Sequence, residues 1–184
     1  MNSSLTTAHE RALSDEVRSA LREVPDFPRP GIVFRDITPL LARPALFTRC
    51  TNAMADRVLE RGVTHVVAIE SRGFLFGAPI AQRLAAALVP MRKPGKLPFK
   101  PERQEYALEY GTDALEIHPD ACDDRAVVLI VDDVLATGGT ARAAAALTQR
   151  LGATVVGYSF LLELTALGGR ATLGGHPVDA LVEL

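Results

Sequence analysis

Three apolar runs in this chain, Thr64–Ile69, Ala126–Val131 and Thr154–Leu161, lack the polar alternation of a sheet with one wet face. Helical stretches stand between them. Phe74 to Leu88 is rich in alanine, and Thr140 to Leu151 closes on Gly152. Apolar strands separated by helices predict an α/β fold, a mostly parallel sheet flanked by helices. At 184 residues, 48% of them hydrophobic, the chain has material for a single domain, expected over residues 1–184.

The N-terminal part reads differently. Leu13, Val17 and Leu21 share one face of a helix expected over His9–Glu23. Pro25 to Gly31 is too rich in proline for a regular element, and a short apolar piece, Ile32 to Phe34, follows. Pro44 opens a second helix, with Leu46, Cys50, Met54 and Val58 on one stripe and a stop at Gly62. Met91 to Tyr106 is basic, contains prolines and has little periodicity; it is expected to be a functional or mobile loop.

Composition excludes several classes. With 20 Lys+Arg against 22 Asp+Glu, the net charge of -2 argues against nucleic-acid binding, which rests on many basic phosphate contacts. Apolar runs such as Ala126–Val131 fall far short of the roughly 18 residues of a spanning helix. The first ten residues lack an apolar signal core, so a cytoplasmic protein without membrane association is expected. Cys50 and Cys122 are too few for a disulfide framework and, with His65, His118 and His176, show no metal-ligand spacing.

The chemistry concentrates in Val127 to Thr140. A buried strand, two acids at its end, a Thr-Gly-Gly-Thr turn and a helix start coincide there. Ligands of open parallel sheets sit beyond the carboxyl ends of strands. A glycine turn feeding a helix offers backbone N–H groups and the positive end of the helix dipole, which suits a phosphate. Ala136, Thr137, Gly138, Gly139 and Thr140 would form that cradle. Asp132 and Asp133 would repel phosphate, but ionised carboxylates accept hydrogen bonds from vicinal ribose hydroxyls. Together they spell a 5-phosphoribosyl group. The alternative is a strand end with a solvated acid pair beside a capped helix. Neither a Walker turn nor a Gly-x-Gly-x-x-Gly fingerprint occurs.

Val131 to Thr140 resembles the phosphoribosyl-pyrophosphate (PRPP) motif of type I phosphoribosyltransferases. Three further blocks narrow the resemblance to the adenine phosphoribosyltransferase family: Asp26 to Pro39, Glu70 to Gly77, and Arg92 to Pro98 with Leu108 to Gly111. The resemblance implies transfer of the phosphoribosyl group of PRPP to adenine, giving AMP and pyrophosphate, in purine salvage. It implies a pyrophosphate loop at Glu70, Ser71 and Arg72 with a cis peptide, joined by Lys93 and Lys96 of the basic segment. The family pattern is left after Pro98, at Phe99 to Glu102.

Glu109, with Tyr110, is implied to assist proton handling near base and ribose, as the catalytic residue. Residues of about 24–40 would form a small hood over the base. Phe34 would stack on the ring, and the backbone of Val33 and Arg35 would read its edge. A buried carbonyl left without its donor by the wrong base supports discrimination on the order of 10⁴-fold. Mg²⁺ is implied, bound mainly through PRPP or pyrophosphate oxygens and waters rather than by protein ligands. A homodimer is implied as well. Two other readings stay open: a transferase for another base, and a PRPP-sensing regulator that binds nucleic acid. A third takes Asp132 and Asp133 as metal ligands of a different glycosyltransferase, but leaves Thr-Gly-Gly-Thr unexplained.

Overall fold

The computed structural model of the chain describes residues 3–108 and 111–184. The chain divides into two compact units, the first ending at Thr51 and the second running from Asn52 to Leu184.

In the first unit, α1 (Ser3–Ala20) buries Leu13, Val17 and Ala20. It ends before the expected Glu23 because Arg22–Pro25 is a strand, β1, paired antiparallel with β2 (Val33–Asp36). Val24 precedes a proline, which disfavours helical backbone and leaves it extended. Arg35 pairs with Glu23, its partner in register, and Arg22 lies 3.7 Å from Asp36. Inside the hairpin, the Gly31 N–H donates to Asp26 Oδ1 at 2.7 Å and the Phe27 N–H to the Ile32 carbonyl at 3.2 Å. The Phe27 ring meets Phe34 edge-on, with centroids 5.2 Å apart. A single turn, α2 (Thr38–Leu41), follows. Then α3 (Pro44–Asp56) starts at the expected proline and carries the unit boundary. The stripe Leu46, Cys50, Met54 and Val58 is buried throughout. A 3₁₀ turn, Leu59–Arg61, replaces the last predicted helical turn before Gly62, which caps it in left-handed conformation at φ 64°.

The second unit is built on β3 (His65–Ile69), β4 (Ala87–Met91), β5 (Glu102–Leu108), β6 (Gly111–Ile117), β7 (Val127–Leu135), β8 (Thr154–Glu163) and β9 (Val178–Glu183). Five of these make one all-parallel sheet in the order β4-β3-β7-β8-β9; β5 and β6 form a separate antiparallel hairpin. Helices α4 (Gly73–Leu84) and α5 (Gly139–Arg150) connect the strands. The α/β expectation holds.

Two local expectations fail. The helix expected to Leu88 ends at Leu84, with Ala85 in left-handed conformation, and the chain pairs with β3 as β4. Alanine favours helix and marks no stop, so pairing overrode propensity, and the edge position tolerates Pro90. The segment Met91 to Tyr106 is not loop throughout, since β5 begins at Glu102. Its alternation becomes meaningful only opposite β6. Strand β9 went unforeseen.

The core gathers Val67, Ile69, Met91, Leu115, Val128 and Ile130 with the buried face of α5, which contributes Ala141, Ala144 and Leu147. Cys122 belongs to this core and Cys50 is fully buried on α3. Burial pushes the thiol of Cys50 up to about 12 and that of Cys122 up to about 11. Neither thiol should react with an aromatic disulfide at pH 8 until the protein unfolds. Fast labelling of one equivalent in the native protein would contradict this burial.

Candidate active site

Strand order explains where a ligand can sit. From β3 the chain steps outward to β4, then returns to the other side of β3 as β7 and proceeds to β8 and β9. The crevice at the carboxyl ends of β3 and β7 is therefore the topological switch point of the sheet. Pairing of β3 with β7 stops at Ala68 and Val131, whereas β7 continues alongside β8 to Leu135. Asp132 and Asp133 thus stand inside β7, yet beyond its pairing with β3. The strand therefore runs past the two acids that the sequence places at its C-terminal end.

Two cavities open here. One of about 70 Å³ is lined by the turn Ala136–Thr140 together with Asp132 and Phe160. Gly138 enters α5 in left-handed conformation at φ 82°, and Arg142 N–H donates to its carbonyl. The first N–H groups of the twelve-residue helix are left for an anion. The turn is backed by the 3₁₀ segment Gly169–Thr172. Thr172 Oγ1 donates to the carbonyls of Gly169 at 2.8 Å and Thr137 at 3.2 Å.

The second cavity, of about 300 Å³, is lined by Glu70, Ser71, Arg72, Lys93, Asp132, Asp133 and Thr140. Asp132 and Thr140 belong to both. The Glu70–Ser71 peptide is cis, as the resemblance implied. Arg72 Nε lies 2.5 Å from Asp133 Oδ2, a carboxylate that is otherwise buried. Glu70 Oε2 accepts from Arg92 Nε at 2.9 Å and from the Lys93 N–H at 2.7 Å. The Arg92 bond chiefly holds the Glu70 carboxyl below its ordinary range. Burial, and then the charge of Asp133, push the Asp132 carboxyl well above that range. An acid so placed gains from hydroxyl donors that stabilise its ionised form.

The site thus combines a helix-entry turn, a pair of carboxylates and a crevice lined by Arg72 and Lys93, joined through Asp132 and Thr140. The phosphoribosyl transferase domain family matches residues 36–166. The adenine phosphoribosyltransferase of Acaryochloris marina is 53% identical over 91% of this chain and 99% of its own length. The crystal structure of adenine phosphoribosyltransferase from Rhodothermus marinus superposes with a TM-score of 0.90 at 47% identity, covering 95% of this chain and 99% of that one. The chain belongs to the adenine phosphoribosyltransferase family. A Saccharomyces cerevisiae adenine phosphoribosyltransferase, solved with an iminoaltritol bisphosphate and adenine, superposes with a TM-score of 0.88 at 39% identity over 93% of this chain and 99% of that one.

Within this family member, the crevice brings together Glu70, Ser71, Arg72, Lys93, Asp132 and Asp133, and the turn gathers Ala136 to Thr140. Lys96 lines neither cavity, but its charge reaches Glu70, and the loop before it is tied down by the Gly95 N–H donating to buried Glu116 at 2.9 Å. Val33, Phe34 and Arg35 lie on β2 of the first unit, Val33 being exposed. Glu109 and Tyr110 fall outside the described residues. Sequence reasoning missed Glu116, Asp113, Tyr106 and Thr172. Alternation across Tyr106 to Ile117 was the one signal that could have flagged the first three.

Proposed function

We propose that this chain transfers the 5-phosphoribosyl group of PRPP to adenine, releasing AMP and pyrophosphate, as a pentosyltransferase of purine salvage. The observation that carries the reading is the sharing of Asp132 and Thr140 by the phosphate cradle and the cationic crevice. A ligand that must touch both has a phosphate at one end, hydroxyls in the middle and a second anionic group at the other. PRPP has that order.

Charge in this reaction builds as an oxocarbenium-like ribose and a departing pyrophosphate, so positioning and electrostatics do most of the work. The turn Ala136–Thr140 holds the 5-phosphate, and Asp132 and Asp133 accept from the ribose hydroxyls. Ser71, Arg72, Lys93 and Lys96 receive pyrophosphate. Glu70 keeps Arg92 and the Lys93 backbone in place. Val33, Phe34 and Arg35 read the base, with Phe27 stiffening the Phe34 ring. Glu109, with Tyr110, handles the base proton.

Mg²⁺ belongs to the same proposal. No group of three His, Cys, Asp or Glu side chains is arranged to hold a metal among the described residues. The hard oxygens of Asp132 and Asp133 suit an ion carried chiefly by substrate oxygens and water. When bound, it supplies charge screening to the polyphosphate. No described helix is long and apolar enough to cross a membrane. The small-molecule substrates are the proposed partners, in a cytoplasmic homodimer.

A base panel tests the function. Purified protein with PRPP and Mg²⁺ should form nucleotide from adenine and not from hypoxanthine, guanine, xanthine or orotate. Turnover of another base would keep the chemistry and remove the role of Val33 to Arg35. PRPP binding without turnover of any base would favour the regulator.

A further inference from the structure

The cations of the crevice do not face it alone. Lys93 Nζ donates to the Tyr106 hydroxyl at 2.8 Å and to the carboxylate of Asp113, and the Tyr106 hydroxyl also donates to Asp113 at 3.2 Å. Tyr106 and Asp113 are direct cross-strand partners in the β5–β6 hairpin. The ammonium also lies 5.4 Å from the centroid of the Tyr106 ring. Burial alone would pull the Lys93 pKa down, but the bonds to Asp113 and Tyr106 outweigh it, so the group stays charged. The second Asp113 oxygen is fixed by the Ala114 N–H at 2.7 Å. The carboxylate is thus built into the hairpin, not swinging free.

The same ammonium lines the crevice with Ser71 and Arg72. A polyanion there must share it with Asp113, because one ammonium has three donors and two are already directed at the hairpin. We propose that Asp113 is a positioning residue that opposes pyrophosphate for Lys93, weakening the hold on the leaving group so that it can depart. The inference rests on the crevice being the pyrophosphate site. Asp113 touches no reacting atom and acts through Lys93.

Asp113→Asn retains the side-chain shape and the acceptor for Ala114 while removing the charge. Magnesium pyrophosphate, titrated calorimetrically, should bind this variant about 2- to 5-fold more tightly than wild type, the upper part of the range for relief of one partly exposed opposing charge. Product inhibition by pyrophosphate should strengthen by the same factor. In a Lys93→Met background the Asp113→Asn effect should vanish, as a coupling through Lys93 requires. Asp113→Glu, which keeps the charge, should restore affinity towards wild type. Unchanged or weaker pyrophosphate binding in Asp113→Asn would overturn the proposal. So would a tightening that persists without Lys93, or weakening in both the Asn and Glu variants, which marks hairpin damage. A wild-type protein that binds no magnesium pyrophosphate would instead defeat the reading of the crevice, and this inference with it.

Discussion

Replacing Asp132 and Asp133 together by asparagine is expected to cut kcat/KM for PRPP by about 10²–10⁴, with the protein still folded. Each carboxylate offers a charge-assisted acceptor to a ribose hydroxyl, worth roughly 1.5–3 kcal/mol. Two such losses, at about 1.4 kcal/mol per factor of ten, set the range. The single substitutions separate function from stability. Asp132 carries a carboxyl pushed up by burial and by Asp133, so its ionised form destabilises the ligand-free protein. With a folded pKa above the unfolded value of about 4, the native state binds more protons in that window, and stability falls as pH rises through it. Asp132→Asn removes this cost. It should melt above wild type at pH 7, with the difference shrinking towards pH 4, while losing activity at both. Thermal melts across that range and PRPP kinetics check both halves. A lower Tm for Asp132→Asn at pH 7 would contradict the electrostatic argument, and wild-type turnover in the double variant would end the ribose assignment.

Gly169→Ala should damage PRPP use from behind the site. A Cβ at Gly169 would lie 2.2 Å from the Ala136 carbonyl oxygen and 3.0 Å from the Gly138 nitrogen. Both atoms are backbone of the Ala136–Thr140 turn, so relief requires the turn itself to move. Gly138 is equally confined, its Cβ position lying 2.2 Å from Thr172 Oγ1 and 2.7 Å from the Gly169 carbonyl, at φ 82°. A displacement approaching 1 Å in a positioning element costs on the order of 10²-fold in rate. Overpacking adds about 1–3 kcal/mol of destabilisation. Steady-state kinetics with PRPP varied should show a raised KM and a fall in kcat/KM of about that size. Unaltered kinetics would mean that Gly169–Thr172 does not shape the turn.

The parts of the fold that the sequence revealed share one property: each is local. Val127 to Thr140 is read in one pass because strand, acids, glycine turn and helix start are contiguous. The buried stripe of Leu46, Cys50, Met54 and Val58 was visible at i, i+4 spacing, and the proline start of α3 needed no partner, although the helix ends at Asp56 and Gly62 closes a 3₁₀ turn instead. The failures were elements that exist only through pairing. Ala87 and Leu88 looked helical until β3 claimed Ala87–Met91, and β5 looked like loop until β6 lay opposite. β1 was hidden in the last turn of a predicted helix for the same reason.

The site divides in the same way. Chain order alone pointed to the proposed phosphate turn, acceptor acids and cationic segments, since the chemistry proposed for each depends on residue type at close spacing. Only the tertiary structure decided that Arg72 faces Asp133, that Lys93 faces Asp113 and Tyr106, and that Gly169 stands against Ala136. Those pairings join residues from 13 to 61 positions apart, and no local pattern records them. The Arg72–Asp133 pairing arises because an all-parallel sheet reverses its winding between β3 and β7, leaving a crevice into which both strands deliver charge; the other two come from the β5–β6 hairpin and from Gly169–Thr172 packed behind the turn.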